Sequence, residues 1–336
     1  MTKNCRHFAA ALLLVLPCSA SALDLLNTLH WPSTGYLPAY PGEPVDKLWN
    51  FSVSASVMRD DNLFRISDSV NPQPIIGTND RAVTVGQIGA GVQADLPLSQ
   101  QRILLDARVD NYTYSHFGNL GYTGYNAGAE WRWLAGENWR GSLGLRSRKY
   151  QSSFSDLQAP IQDLISENYL FASAAYILTP RWRVRGAVDF YTYDHSNALR
   201  APLNNDTTAL TAGFDYVTPA ENSLGGQVKY TTGRYPNGLI AVTSLIGGNY
   251  EEWETSGVAH WNVTGKTKLD ARLGYTKRTY DQIAQRNFGG GTGRIDWDWY
   301  VGGKTLIAFA AWREIHSYQD VLASYVISKG IGIGPD

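Results

Sequence analysis

Cysteine is nearly missing from this sequence of 336 residues. Cys5 and Cys18 are its two cysteines, and both lie within the first 22 residues. The rest of the chain therefore excludes a disulfide framework and any thiolate metal site. Charge is scarce as well, at 18% of residues, and 29 lysines and arginines nearly balance 30 acidic residues. No general attraction to nucleic acid follows from that balance.

Long apolar runs are also missing. None after residue 22 approaches the roughly 20 residues that a membrane-spanning helix needs. Before it, Lys3 and Arg6 precede an apolar stretch from Phe8 to Leu16, and Ala20-Ser21-Ala22 supplies small residues for cleavage. We interpret residues 1–22 as a cleaved secretory signal peptide, because the stretch is too short for the alternative, a membrane anchor.

Residues 23–47 form a separate piece with little periodicity. They carry Pro32, Pro38, Pro41 and Pro44. Because proline has no N–H group to donate to a sheet ladder, a central strand is not expected here. We predict an irregular, proline-bearing periplasmic lead-in over this segment.

Glycine and aromatic residues are abundant, with 33 Gly, 20 Tyr and 11 Trp, which suits β-structure with aromatic girdles. From residue 48 onward, polar and apolar residues alternate with a period of two, which predicts half-buried strands. Arg183 and Val184, for example, fall on opposite faces. The alternation changes phase near Gly86-Gln87, which predicts a β-bulge there.

The predicted strands come in pairs joined by short turns. These turns fall at 97–100, 135–138, 179–180, 218–222, 264–265 and 302–303. Longer polar segments alternate with them, at 60–80, 115–123, 151–166, 195–206, 235–248 and 280–290. Short turns at one end and long loops at the other are typical of outer-membrane barrels. We therefore predict an all-β fold over residues 48–336, an antiparallel transmembrane outer-membrane β-barrel with about 14 visible strands.

The last predicted strand stops at Asp336, in register with the earlier short turns, and carries no terminal aromatic residue. We therefore expect the sequence to be truncated at its C-terminus and the natural barrel to have further strands. A complete chain with an atypical end is the alternative.

In such a barrel the apolar face meets lipid and the polar face lines the lumen. Basic residues placed on the lumen side or at its periplasmic mouth are candidates for setting pore selectivity. They are Arg108, Arg140, Arg146, Arg148, Arg181, Arg183, Arg185, Lys266, Lys268 and Arg272. Acidic residues share that face, so charge pairing that merely fills a closed interior stays open as the alternative. The basic residues near the short turns favour an anionic cargo.

Aromatic residues divide between the two faces. Tryptophans on the lipid side cluster near the short turns, which is typical of an interfacial belt. They are Trp131, Trp133, Trp139, Trp182, Trp261, Trp297 and Trp299. Tyr150, Tyr191 and Tyr193 fall on the lumen side and are candidates for carbohydrate contact.

The run Asp60-Asp61-Asn62-Leu63-Phe64-Arg65 closes the first predicted strand. Its oxygens could hold calcium, but adjacent side chains on a strand point in opposite directions, which favours a structural loop start. We predict no metal site and no cofactor. Histidines are scattered without a motif, and His195-Ser196 has no acid–base partner at a recognisable spacing. We therefore predict no catalytic residues and no enzyme.

The same run carries a resemblance. The export signal, the proline-bearing lead-in and a first strand that leads from Ser56 into Asp60–Arg65 are similar to the outer-membrane β-barrel proteins of exopolysaccharide biosynthesis operons, the EpsL type. The Thr-Pro turns at 179–180 and 218–219 are similar too. The resemblance covers most of the chain after the signal, although related porins share the Asp-Asp-Asn-hydrophobic-Phe pattern. Members of the family usually continue for further strands.

The resemblance implies a role in assembling or exporting an extracellular polysaccharide. We expect an outer-membrane pore or secretion component of a Gram-negative bacterium. Its partners would be outer-membrane lipid, a polysaccharide cargo and periplasmic export proteins, with no nucleic acid. A non-conducting scaffold or adhesion protein is the first alternative, and a barrel hydrolase using His195 is the second.

Overall fold

A computed structural model describes residues 47–220, 222–238, 248–281, 284–301, 305–317 and 325–335. The predicted signal peptide and nearly all of the lead-in lie outside these residues, as do the turn at 302–303 and the middle of the segment at 235–248. Of the helices formed by the described residues, none could span a lipid bilayer.

The described chain is a single antiparallel sheet whose strands lie in sequence order. Its fourteen strands are β1 (Trp49–Asp60), β2 (Val83–Leu98), β3 (Gln101–Tyr114), β4 (Tyr122–Ala135), β5 (Trp139–Gln151), β6 (Leu164–Thr179), β7 (Trp182–His195), β8 (Asn205–Val217), β9 (Ser223–Arg234), β10 (Tyr250–Thr264), β11 (Thr267–Tyr280), β12 (Phe288–Val301), β13 (Thr305–Ser317) and β14 (Tyr325–Pro335). Each pairs with the next, and β1 and β14 are the two edges of the described sheet. The prediction of an all-β barrel fold with about fourteen strands is confirmed.

Short and long connections alternate along the sheet. The even-to-odd connections are short, such as residues 99–100 and 136–138, and they share one end of the sheet. Most odd-to-even connections are longer and share the other. Those used below are loop 1 (residues 61–82), loop 2 (115–121), loop 3 (152–163) and loop 4 (196–204). Loop 1 contains a short helix, α1 (Gln73–Ile76), and loop 3 contains α2 (Phe154–Leu157). We name the end of the sheet that carries the short connections the short-turn end, and the opposite end the long-loop end.

The two faces of the sheet differ as the alternation predicts. Large apolar side chains such as Leu145, Val184 and Phe214 are exposed on the outward face. Soluble proteins rarely expose an apolar surface of this extent, whereas a transmembrane barrel presents it to lipid. Strands of 11 to 16 residues are also long enough to cross a bilayer at a tilt.

The polar face is concave. The hydroxyl of Tyr250 on β10 lies 3.0 Å from the Ser317 hydroxyl on β13. In a flat sheet these strands would be about 14 Å apart, because neighbouring strands are about 4.8 Å apart. Arg108 on β3 likewise reaches Ser54 on β1, with a donor–acceptor distance of 2.6 Å. The sheet therefore curls around its polar side chains as a barrel wall does.

The predicted bulge near Gly86-Gln87 is wrong. The register of β1 against β2 runs without a shift from the Asp60–Val83 pair to the Trp49–Ala94 pair. Val83 and Val85 lie on the concave face at the long-loop end, where they are buried in an apolar cluster formed by the loops. The apparent phase change therefore reflects what that face packs against, since the pleat itself is regular.

Candidate functional site on the concave face

Arginine and carboxylate side chains form groups of ion pairs on the concave face. On β7, Arg183 and Arg185 both bind Asp215 of β8, with donor–acceptor distances of 2.8 Å and 3.2 Å. Asp215 is 1% exposed, so its charge is compensated by the two guanidinium groups and not by water. Gly213 makes room for this arrangement, because a Cβ atom there would lie 2.8 Å from Cζ of Arg185.

A second group lies on β5 and β6 near the long-loop end. Arg148 forms an ion pair with Glu167 and lies over the ring of Tyr150, 4.9 Å from its centre. The Tyr150 hydroxyl donates to the same carboxylate at 2.8 Å. On the adjacent β7, the rings of Tyr191 and Tyr193 lie 6.5 Å apart. The three tyrosines suggested for carbohydrate contact are therefore neighbours on one wall.

The third group spans β10 to β13. Arg272 on β11 binds Glu254 on β10 at 2.7 Å and Glu314 on β13 at 2.5 Å. All three residues are buried. Arg278 binds Glu252 at 2.7 Å and stacks on the Tyr250 ring, 4.1 Å from its centre. We name these residues, with Ser317 and Tyr280, the ionic network; its side chains come from the three strands β10, β11 and β13.

The hairpin of β13 and β14 leans into the concavity at its long-loop end. The ladder between β12 and β13 stops at the Gly293–Arg313 pair, although β12 continues its pairing with β11 as far as Phe288. Beyond that point Ser317 contacts Tyr250, and the Tyr325 ring stacks on Tyr280 with centres 6.5 Å apart. The end of the hairpin therefore narrows the space in front of β10–β12.

The structure distributes the ten basic residues predicted as selectivity candidates over the concave face and its rim. Five of them form ion pairs with carboxylates, namely Arg108, Arg148, Arg183, Arg185 and Arg272. Arg140 and Arg146 lie on β5, and Lys268 pairs in register with Asp298 of β12. Arg181 and Lys266 lie in the short turns and are exposed, and Arg181 donates to the Tyr216 hydroxyl at 3.1 Å. Basic and acidic groups therefore intermix along this face.

The motif at residues 60–65 forms a compact turn. The guanidinium group of Arg65 binds both carboxylate oxygens of Asp60, at 3.0 Å and 2.9 Å. The side chain of Asn62 donates to the carbonyl of Ile66 at 2.8 Å and accepts from its N–H at 3.0 Å. Arg65 adopts a left-handed conformation with φ of 54°. Within the described residues no group of three His, Cys, Asp or Glu side chains could hold a metal ion.

Two apolar side chains of this motif pack against the loops at the long-loop end. Phe64 is a member of a buried apolar cluster, and Leu63 packs against it. Phe64 is fully buried and makes edge-to-face contacts with Phe117 of loop 2 and Phe154 of loop 3, at 5.0 Å and 5.2 Å between ring centres. We name the surrounding apolar group the loop cluster. It comprises Phe64, Ile66, Ile76, Val83, Val85, Phe117, Leu120 and Phe154. Because it joins loops 1 to 3 and the inner face of β2, it covers the long-loop end of the first strands.

Asp163 and His195 form a buried pair beside the loop cluster. Nδ1 of His195 lies 2.7 Å from Oδ2 of Asp163, and both side chains are 0% exposed. Asp163 Oδ1 accepts from the N–H of Asn197 at 3.1 Å. Burial alone would raise the pKa of Asp163, but the hydrogen bond and the charge of His195, with the Asn197 bond, hold it below its ordinary 3.8.

This pair gives His195 the acidic partner that spacing in the sequence could not reveal. The two residues are 32 positions apart and meet only through the β6–β7 register, in which Ile165 faces His195. An aspartate that orients a histidine also supplies two of the three members of a hydrolase triad. Here both side chains are enclosed, so the geometry suits a tie between loop 3 and loop 4 better than attack on a substrate.

No protein-family model and no curated protein matches the chain. Among solved structures it is similar to CdiB from Acinetobacter baumannii, with a TM-score of 0.37 and 10% sequence identity. That likeness covers 85% of this chain and 53% of the CdiB chain, so the chain spans about half the length of that structure.

Proposed function

We propose that this protein is an outer-membrane β-barrel that takes part in exopolysaccharide export as a pore or secretion component. The observation that carries the proposal is the opposition of its two faces. The outward face exposes apolar side chains, while the concave face carries the ion pairs of Arg183, Arg185 and Arg272. A wall of this kind separates lipid from a polar lumen. In this orientation the short-turn end is periplasmic and the long loops are outside the cell.

The link to polysaccharide rests on the resemblance of residues 60–65 to the EpsL type and on the chemistry of the concave wall. Tyr150, Tyr191 and Tyr193 lie beside Arg148 and Glu167. The rings of Tyr150 and Tyr191 are partly exposed, whereas Tyr193 is buried behind them in the same wall. Rings of this kind pack on sugar faces while charged groups bind hydroxyls. An extended glycan with some anionic groups would fit such a mixed surface, and no catalytic role is part of the proposal.

A non-conducting scaffold is the second candidate, and two observations favour it. The loop cluster closes the long-loop end of the first strands, and the β13–β14 hairpin leans into the concavity. Ion pairs that satisfy each other, such as Arg272 with Glu254 and Glu314, also fill space without selecting a solute. In that case the loops would be the functional surface.

Conductance in a planar bilayer separates the two candidates. We expect the purified barrel to give discrete conductance steps, with a reversal potential that depends on concave-face charge. Replacing Arg183 and Arg185 with serine leaves Asp215 uncompensated, so the variant should become more cation-selective. The matched control is Arg234→Ser, because Arg234 is exposed at the long-loop end of β9 and lies on the outward side by alternation. Its reversal potential should equal that of the wild type.

The polysaccharide is tested separately by deleting the gene. Loss of surface polysaccharide, with polymer retained in the periplasm, would support export. Conductance with unchanged surface polysaccharide would leave a pore of another kind. A silent bilayer together with normal folding would favour the scaffold.

A further inference from the structure

Two basic side chains stand on the outward face of the last hairpin. Arg313 on β13 and Lys329 on β14 are direct neighbours in the antiparallel register, and both are exposed. Around them the outward face is apolar, with Leu273 at 57% and Ile331 at 77% exposure. Neither residue has a carboxylate partner among the described residues. A basic side chain on a lipid face costs about 2–4 kcal/mol near the bilayer midplane.

The same place holds a groove that the leaning hairpin creates. The ladder between β12 and β13 ends at the Gly293–Arg313 pair, and past it the two strands separate. Arg313 Nη1 donates to the carbonyl oxygen of Gly291, a group on the stretch of β12 that has lost its ladder with β13. Glycine at 291 and 293 keeps the floor free of side chains. The groove has a volume of about 790 Å³ and its lining includes Ile295 and Ala311.

The groove therefore combines an apolar trough with two adjacent cations. A trough of this size holds part of an acyl chain, and paired basic groups on a membrane protein bind anionic head groups. Guanidinium and ammonium groups side by side suit a phosphate, to which arginine can donate two hydrogen bonds. Both residues also lie on the long-loop half of their strands, four positions from Ser317 and Tyr325.

We propose that Arg313, Lys329 and the groove between β12 and β13 bind a phosphorylated glycolipid of the outer leaflet. Its phosphate lies against the two basic side chains, and an acyl chain lies over Gly291 and Gly293. The proposal rests on the outer-membrane location and loops-out orientation proposed above. It does not depend on whether the lumen conducts.

Native mass spectrometry of the detergent-purified barrel with bisphosphorylated lipid A tests the site. The wild type should retain one molecule in preference to dephosphorylated lipid A and to phosphatidylglycerol. Arg313→Gln with Lys329→Gln should weaken retention about 30-fold, because each basic side chain near a membrane surface contributes about a factor of five. The control is Lys149→Gln with Arg234→Gln, which removes two charges that alternation places outward on β5 and β9. It should retain the lipid like the wild type.

Heat-modifiable mobility on gels shows that each variant is folded before the comparison. Equal retention by the Arg313/Lys329 variant, or equal binding of the dephosphorylated lipid, would overturn the proposal. So would phosphatidylglycerol binding as tightly as lipid A, or displacement of lipid A by millimolar inorganic phosphate alone. A barrel that discriminates the lipid but never conducts would support this site while removing the pore. A barrel that conducts but does not discriminate between the lipids would support the pore and overturn the lipid site.

Discussion

The long-loop ends of the first six strands and of β10–β14 are closed by opposite chemistries. Over the first strands, loops 1 to 3 bury Phe64, Phe117 and Phe154 in an apolar cluster. In front of β10–β12, the leaning hairpin is held by charged and hydroxyl groups, among them Arg272 and Ser317. Both arrangements narrow the same end of one sheet.

The loop cluster and the ionic network should differ in how they respond to substitution. Apolar burial is non-directional, so a cluster loses stability in proportion to the area and volume that a substitution removes. A buried group of ion pairs depends on every member being present. Removing one residue leaves its partners buried with an uncompensated charge and without water to solvate it. Substitutions in the loop cluster should therefore destabilise the loops in proportion to the area removed and leave the strands paired. Loss of one residue of the ionic network should instead destabilise the whole network and the strands that carry it.

The largest effect is expected at the centre of the ionic network. Arg272→Ala leaves Glu254 and Glu314, which are 6% and 4% exposed, without their shared guanidinium group. Removing one partner of a buried ion pair lowers the free energy of unfolding by about 3–5 kcal/mol. Because two carboxylates lose the same partner here, we expect a loss at the upper end of that range. Urea unfolding in lipid vesicles, followed by tryptophan fluorescence, measures the loss.

The matched control for Arg272 is Arg294→Ala on the neighbouring strand β12. Arg294 pairs with Asp296 at 2.6 Å, but that carboxylate is 37% exposed. A pair open to water contributes about 0–1 kcal/mol, so this variant should unfold close to the wild type. Equal losses in the two variants would show that burial does not set the importance of these pairs, and the contrast between the two regions would fail.

A smaller and more local effect is expected in the loop cluster. Phe64→Ala removes a fully buried ring that contacts two other phenylalanines. The free energy of opening loops 1 to 3 locally should fall by about 3 kcal/mol, the low end for such truncations, because loops can partly collapse into the space. Limited proteolysis should cut loops 1 to 3 faster while the urea midpoint of the barrel stays unchanged. Val70→Ala, at a position in loop 1 that is 41% exposed, is the control and should not alter cleavage.

The strands and their facing were predictable from the sequence because a half-buried strand repeats every two residues. Val184 outward and Arg183 inward follow from that alone. Two-residue turns such as 180–181 left little freedom in the pairing. The contacts that bring distant strands together were not predictable, since they depend on register and curl. Arg272 reaches Glu314 across an intervening strand, and nothing in the local pattern signals it.

The loop cluster was missed for a different reason. Phe64 sits in a run that looks polar and suggests ion binding, but the polar residues bind each other, as Arg65 does Asp60. Its ring is then free to pack on loops 2 and 3. Val83 and Val85 gave a signal in the sequence, the phase change near Gly86, but a bulge would produce the same pattern.

The smallest expected effect tests whether the loop end beside the cluster responds to acid. Asp163 is buried with His195 at 2.7 Å and Arg200 at 3.9 Å, and its pKa lies below the ordinary 3.8. A carboxyl group whose pKa is depressed by folding stabilises the folded loops above its unfolded value. That contribution is lost as the pH falls below 3.8 through the folded value. Above 3.8 it is fully present, so loops 3 and 4 should be unchanged between mildly acidic and neutral pH.

Hydrogen exchange of loops 3 and 4 in the folded barrel, followed from neutral pH to below 3.8, makes this measurable. Wild-type protection, corrected for the intrinsic rate, should fall below 3.8, whereas Asp163→Asn should start about 1–3 kcal/mol lower and stay nearly flat. Asp194→Asn, at an exposed neighbour on β7, is the control and should follow the wild type. If Asp163→Asn still lost protection over the same pH range, other carboxylates would govern the loops. The acid response of loops 3 and 4 would then not depend on the Asp163–His195 pair, and the contrast between the two regions would lose this support.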